Sequence, residues 1–136
     1  MKALTTAIYS QLAGSVLSTA VGNRLYKGRA PDGADYPYIV YFVVTDMPDR
    51  TFTEDYENVI IQFSLFSTAS GTTEVEDMFT HLKTLYDEKP FTITGSTLIW
   101  MRRANTSFLV EDHTTPTGTQ QVFAYHCEFQ VLTSLD

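Results

Sequence analysis

The sequence has 136 residues, of which 43% are hydrophobic, 13% aromatic and 18% charged, and this composition predicts one globular domain with an apolar core. Its net charge of −7, from nine basic and sixteen acidic residues, argues against specific binding of nucleic acid. The single cysteine, Cys127, excludes an internal disulfide and predicts assembly in a reducing cytoplasm, while the longest apolar run, 38–44, is too short to span a membrane.

The first predicted element is an amphipathic helix over residues 3–20, because apolar residues recur there at helical spacing. These residues are Leu4, Ala7, Ile8, Leu12 and Val16. Gly14 favours a bend or a break inside this helix, and Gly22 with Asn23 predicts its end. A loop rich in Gly, Pro and Asp follows over residues 28–35.

The next part of the chain predicts two strands separated by a polar segment. Residues 37–45 are β-branched and aromatic on both faces, which suits a strand covered on both sides or packed against a neighbouring subunit. Residues 46–58 are polar and acidic and are predicted as a loop. Residues 59–66 alternate between apolar and polar side chains, so they predict the second strand.

The strongest local signal is a second helix over residues 73–88. Thr73 and Glu76 have the spacing of a capping box, and Pro90 stops the helical pattern. The apolar stripe of this helix is formed by Val75, Met78, Phe79, Leu82, Leu85 and Tyr86.

The remainder predicts three strands and one long loop. Strands over 91–94 and 97–104 are joined by a Gly-Ser turn of type II′, and a polar loop over 104–119 leads to a last strand over 120–133. The predicted fold class is α+β, a mostly antiparallel sheet packed against two α-helices on one face. The predicted order of elements is α-β-β-α-β-β-β.

Few residues are candidates for chemistry. His81 lies at the edge of the second helix's stripe, His113 in a predicted loop and His126 on a strand, where it shares one face with Glu128. No third metal ligand has suitable spacing, so a polar surface is favoured over a metal site. Cys127 alternates with aromatic residues, which predicts a buried, inert thiol. We therefore expect no enzyme, no cofactor and no metal.

The most specific pattern lies in residues 21–40, which contain G-x-R-L-Y, then A-P-x-G, then P-Y-I. Its residues are Gly22, Arg24, Leu25, Tyr26, Ala30, Pro31, Gly33, Pro37, Tyr38 and Ile39. The pattern resembles the tail-completion or tail-terminator proteins of long-tailed phages and gene-transfer particles. The later elements follow the order of that family, so the likeness covers nearly the whole chain as a single domain.

The same pattern also has a purely structural interpretation. Gly33 can supply a turn with positive φ, Pro31 and Pro37 can stiffen the approach to the strand, and Tyr26 and Tyr38 can pack beneath the loop. This fold-supporting role is favoured over direct binding of a partner by these residues.

The resemblance implies a structural virion protein that forms a ring, commonly of six subunits, at the head-proximal end of the tail tube. The ring would stop tube polymerisation and provide the surface for head joining. The implied partners are further copies of the chain, the tail-tube protein and the head-tail connector or neck protein. The expected location is the tail of the virion, after assembly in the host cytoplasm.

The expected interface combines the acidic segment 46–58 with the one Arg-Arg pair. Its candidate residues are Asp46, Asp49, Arg50, Glu54, Asp55, Glu57, Arg102 and Arg103. The acids could pair with basic partners or face a channel that carries DNA. Two alternatives remain at this point, a neck or head-closure protein of the same particle, and a small-molecule-binding domain or unrecognised hydrolase. A compact apolar pocket with convergent polar groups would favour the latter, and a flat patch of subunit size would favour the ring.

Overall fold

A computed structural model of the chain describes residues 2–115 and 117–135. In this part the elements are α1 (Lys2–Leu12), α2 (Val16–Ala20), β1 (Leu25–Lys27), β2 (Tyr38–Arg50), β3 (Asp55–Ser67), α3 (Thr73–Tyr86), β4 (Ser96–Thr115) and β5 (Gly118–Leu135). The strands form one sheet in the order β1-β2-β3-β5-β4. β1 is parallel to β2, and the other neighbouring pairs are antiparallel. The sheet is thus mixed and mostly antiparallel, but the predicted order of elements is wrong.

The predicted first helix is in fact two helices. Gly14 has φ of 79°, a left-handed conformation that ends α1. Ser15 then caps α2, because its side chain accepts a hydrogen bond from the Ser18 N–H at 3.1 Å. Gly22 and Asn23 have φ of 59° and 63°, so they end α2 as predicted.

The helices pack on one face of the sheet, where the main apolar core lies. Buried helical residues of this core are Leu4, Ile8, Leu12, Leu17, Val75, Met78, Leu82 and Tyr86. They face alternate residues of the strands, namely Ile39, Tyr41, Ile61, Phe63, Leu65, Met101, Cys127, Phe129 and Val131. The prediction that helices cover one face of the sheet agrees with this arrangement.

Tyr86 connects three parts of this core. Its ring stacks on Phe63 of β3 with 4.9 Å between the centroids, and its hydroxyl donates a hydrogen bond to the Ile8 carbonyl of α1 at 2.7 Å. The side chain is fully buried. Burial raises the pKa of the Tyr86 phenol, so it remains a neutral donor.

The second predicted helix is present as α3, which begins at Thr73 as predicted and ends at Tyr86, two residues before the predicted end. Thr72 is the N-cap and its side chain makes no capping hydrogen bond, so the predicted capping box of Thr73 and Glu76 is wrong. Instead, the Ser67 hydroxyl at the end of β3 donates to the Glu74 carboxylate at 2.6 Å. This bond holds an acid of the first turn near the positive end of the helix dipole.

Three predictions about strands and loops are wrong. The segments 46–58 and 104–119 are not loops, because β2 continues to Arg50, β3 begins at Asp55, β4 continues to Thr115 and β5 begins at Gly118. Residues 91–94 form no strand, and only Ile93 makes an isolated bridge, to Ser96. The two long hairpins escaped prediction because no described side chain of their outer parts, 46–58 and 104–119, is fully buried, so apolar and polar residues do not alternate there.

We expect Tyr86→Ala to lower the free energy of unfolding by about 3–5 kcal/mol, because it opens a cavity beneath α1 and α3. Tyr86→Phe should cost only about 1 kcal/mol, since it keeps the ring and removes one hydrogen bond. Tyr9→Phe is the matched control, because Tyr9 is 43% exposed. Urea unfolding followed by circular dichroism measures all three. An unchanged midpoint for Tyr86→Ala would contradict this description of the core.

Candidate functional site

The central part of the pattern in residues 21–40 forms a loop that lies on the sheet face opposite the helices. This motif loop (residues 28–37) connects β1 to β2. Its residues Ala30, Ala34 and Tyr36 pack against a second apolar cluster. The buried members of that cluster are Tyr38, Val40, Phe66, Val122 and Ala124. The motif loop therefore covers part of the face that the helices leave open.

Arg24 fixes the end of the motif loop. Its Nε donates to the Pro37 carbonyl at 2.9 Å, and its Nη2 donates to the Tyr36 carbonyl at 3.2 Å. A Cβ at Gly22 would lie 2.8 Å from Arg24 Nη1, so a side chain there would push the guanidinium away. Gly22 and Arg24 of the pattern thus act as a pair.

The other residues of the pattern also have local structural roles. Gly33 has φ of 77°, the positive value that the sequence predicts for this turn. The Tyr26 and Tyr38 rings pack edge to face with 5.8 Å between their centroids, and the centroids of the Tyr36 and Tyr38 rings lie 5.0 Å apart. These contacts support the fold-supporting interpretation of the pattern.

Five side chains form a continuous hydrogen-bonded chain, the polar relay (Tyr36, His113, Glu111, His126 and Ser64). Tyr36 Oη lies 2.7 Å from His113 Nδ1, and His113 Nε2 lies 2.9 Å from Glu111 Oε1. Glu111 Oε2 lies 2.6 Å from His126 Nε2, and His126 Nδ1 lies 2.8 Å from Ser64 Oγ. The polar relay joins the motif loop to β4, β5 and β3.

The protons of the polar relay can be assigned from its donors and acceptors. The assignment that satisfies every contact has both imidazoles neutral, with the proton on Nε2. Each Nε2–H then donates to one oxygen of an ionised Glu111, and the Nδ1 atoms accept from the hydroxyls of Tyr36 and Ser64. Burial acts to raise the pKa of the Glu111 carboxyl, but the hydrogen bonds from His113 and His126 outweigh it, so this pKa is lower than usual.

His113 and His126 are therefore bound in a structural network. His113 lies on β4 and not in the predicted loop, and both ring nitrogens of His126 already have partners. No group of three or more His, Cys, Asp or Glu residues that could hold a metal ion is found in residues 2–115 and 117–135. Burial raises the pKa of the Cys127 thiol to about 12, which keeps it protonated and unreactive at neutral pH. His81 is partly exposed on α3.

The predicted acidic segment is a β-hairpin at one end of the sheet, here called the arm (residues 46–58). Its residues 56–58 also pair with β5. The arm carries five acidic residues and one arginine, a net charge of −4. Every one of these residues except Glu57 is exposed. Arg50 Nε lies 3.6 Å from Asp55 Oδ1, a solvent-exposed ion pair that contributes little to stability. The arm thus presents its negative charge to solvent.

Two of the three arginines of the expected interface, Arg102 and Arg103, lie away from the arm on the edge strand β4. Across the sheet, Arg102 of β4 is level with Thr45 of β2, the residue before the arm, and the strands β5 and β3 lie between them. The Arg102 guanidinium stacks over the Trp100 ring at 3.8 Å, and Arg103 Nη1 donates to Thr106 Oγ1 at 3.3 Å. The expected interface residues therefore form two separate groups.

Two further exposed features were not among the expected interface residues. Phe108, Leu109 and Val110 lie on the outer edge strand β4 and are between 41% and 52% exposed. Phe52, at the tip of the arm, is 110% exposed. The exposed patch on β4 could have been recognised in the sequence as a run of three apolar residues inside the segment interpreted as a polar loop. Phe52 could have been recognised as the one phenylalanine within the acidic segment.

The structure thus has one sheet face covered by helices, one partly covered by the motif loop, and an exposed acidic hairpin. The chain matches the family model described as tail completion protein gp17 over residues 6–128. It therefore belongs to that family, and it is a structural protein of a phage or phage-like tail, as the sequence resemblance implies. None of the helices in the described part is long and apolar enough to cross a membrane.

Solved structures show the same fold. One, a virion of a native gene transfer agent particle, superposes with a TM-score of 0.73 at 14% identity, covering 96% of this chain and 94% of the other. A second gives a TM-score of 0.57 at 14% identity with the same coverage. No curated protein is matched by sequence. At this identity the likeness shows the fold alone.

The polar relay predicts a pH-dependent contribution to stability. The pKa of Glu111 is lowered in the folded state, so its ionisation contributes to the free energy of unfolding. This contribution is fully present above pH 4.5, the ordinary pKa, and is lost as the pH falls through the lower pKa of the folded state. We expect Glu111→Gln to cost about 1.5–3 kcal/mol at pH 7, and this cost should shrink in acid below pH 4.5. Urea unfolding at a series of pH values measures it.

The matched control is Asp112→Asn, which removes the same charge one residue away, where the side chain is exposed. It should change stability by less than about 0.5 kcal/mol at any pH. Equal effects of the two substitutions at pH 7 would show that charge alone, and not the polar relay, is responsible.

Proposed function

We propose that this chain forms a ring that closes the head-proximal end of the tail tube, stops tube polymerisation and provides the surface for head joining. The observation that carries the proposal is the arm, an ordered acidic hairpin at one end of the sheet. The motif loop and the polar relay stiffen the other end of the sheet. Membership of the tail completion family supports a role at the end of a tail.

The arm suits a stacking contact on the last tube ring. Its strands are paired from Asp46↔Val59 to Arg50↔Asp55, so it is a structured projection and not a loose loop. A pre-ordered element loses less conformational entropy on binding than a flexible one. Once the arm occupies the docking surface of the last ring, a further tube subunit finds no place to add.

The sheet has two edges that suit contacts between copies of the chain. β4 is one edge, and the other is formed by β1 and the part of β2 that extends beyond it. β2 and β4 run in opposite directions. Copies placed side by side around one axis would therefore bring antiparallel edges together, and such a head-to-tail contact closes into a ring. The expected number of six subunits comes from the family resemblance.

The small-molecule alternative has little support from the surface. The hollow beside the motif loop has a volume of about 510 Å³, and it is open and lined largely by small and polar residues. A ligand site would instead be a compact apolar pocket with a few convergent polar groups. The neck or head-closure alternative shares the arm and the edges, and the length of tails made without the protein separates it from the terminator function.

Removing charge from the arm should impair tube capping. In the variant Glu54→Gln, Asp55→Asn, Glu57→Gln, we expect overlong tails or unjoined heads in a complementation assay, because the arm loses its electrostatic complementarity to basic partners. Electron microscopy of the particles gives tail length and head joining.

The matched control is Asp77→Asn, Glu88→Gln, Asp112→Asn, which removes three exposed charges away from the arm and should leave tails normal. Normal tails in the arm variant would remove the arm's charge from the mechanism. Deletion of the whole protein must also give overlong tails, and unchanged length after deletion would refute the terminator function.

Ring formation should depend on the outer edge of β4. We expect the wild-type protein to sediment as a ring and Leu109→Lys to shift it towards smaller species, because a lysine on an edge strand opposes pairing between sheets. The fold should change little, since Leu109 is 49% exposed. Val16→Lys, on α2 and 66% exposed, is the control. Equal ring populations in the three proteins would exclude this edge from the contact.

A further inference from the structure

Phe52 is the most exposed large apolar side chain in the part of the chain that the structure describes, at 110% of its reference area. It lies at the tip of the arm, where the other exposed side chains are mostly acidic or hydroxylic. Single exposed apolar residues are common on protein surfaces and need no explanation. The surroundings of Phe52 distinguish it from such a case.

The tip that carries Phe52 is held in one shape by hydrogen bonds. The Thr51 N–H donates to the Glu54 carbonyl at 2.9 Å. Thr51 Oγ1 accepts from the Glu54 N–H at 3.1 Å and from the Thr53 N–H at 3.4 Å. The Tyr56 hydroxyl donates to the Glu54 carboxylate. The backbone at Phe52 is therefore ordered while its side chain remains in solvent, the arrangement of a pre-organised anchor.

Further apolar groups lie at the same end of the sheet. Phe52 borders a hollow of about 590 Å³ that is also lined by Ile99 and Leu135, which are 46% and 49% exposed. Met47 on the arm is 64% exposed. The end of the sheet thus combines a protruding aromatic ring with a partly apolar surface behind it and acids around it.

The direction of the arm indicates which partner meets Phe52. The last pairing of β3 with β5 is Tyr56↔Ser134, and the arm extends beyond it by one further pair, Arg50↔Asp55, and by the turn over residues 51–54. The tip therefore projects along the strand direction, past the end of the sheet. A molecule stacked on the end of the sheet would meet the tip, whereas the strand residues 46–50 of the arm lie on the free edge of β2.

We propose that Phe52 is the anchor by which the arm binds the last ring of the tail tube, inserting into an apolar pocket that is rimmed by Lys or Arg. This inference rests on the proposed function and names the residue and the partner surface that it requires. Buried aromatic anchors surrounded by polar contacts dominate the energetics of protein interfaces. The net charge of −4 on the arm matches a basic rim, which sets orientation and association rate.

The experiment measures binding of the purified protein to tail tubes isolated from particles that lack it. We expect Phe52→Ser to weaken binding about thirtyfold or more, and Phe52→Leu to weaken it less than about fivefold, since it retains apolar volume. Val16→Ser removes a comparably exposed apolar residue from α2 and should have no effect. Thermal unfolding should be the same for all four proteins, because neither position is buried.

The outcomes separate the two proposals. If the wild-type protein binds tube ends and Phe52→Ser binds equally well, the anchor is refuted and the capping function stands. If the wild-type protein does not bind tube ends, the capping function itself fails. If Phe52→Ser leaves tube binding intact but disrupts self-association, the tip belongs to a contact between copies, which also refutes the anchor.

Discussion

The fold depends on covering the sheet face that the helices leave open. All three described helices lie on the other face, so the apolar residues around Tyr38 and Phe66 need a different cover. The motif loop provides it, but a loop has no backbone ladder of its own to hold it in place. Arg24 compensates at the loop's exit by binding two carbonyls, and Tyr36 reaches across to His113. Arg24 and the end of the motif loop, all within the pattern of residues 21–40, thus attach this cover.

The polar relay shows how an ionised carboxylate can lie on such a face. Glu111 is partly buried, and an unpaired charge there would be costly. Two imidazole N–H groups satisfy its two oxygens, and the outer nitrogens of the rings are satisfied in turn by hydroxyl groups. No buried side-chain nitrogen or oxygen of the described residues lacks a partner. A fully satisfied network of this kind specifies one arrangement of loop and strands.

The sequence allowed the core to be predicted but not the projecting parts. Helix α3 and the strands around Phe63 and Phe129 were predicted because burial on one face imposes periodicity on the residues. β1 has only three residues, too few for a pattern, and the arm has no buried face. The polar relay was not predictable either, because its contacts join residues up to 77 positions apart. The separation of Arg102 and Arg103 from the acids likewise follows from strand order, which local patterns do not determine.

The charge of the arm has a further consequence for the proposed ring. In a ring, every subunit would place a net charge of −4 at the same end, and like charges repel over about a Debye length of ~8 Å at physiological salt. Free rings would therefore carry unfavourable repulsion among their arms. A tube end with basic groups would neutralise that charge when it binds. Relief of this repulsion would favour the bound ring over the free ring, and so the same acids that attract the partner would also discourage the rings from stacking on one another.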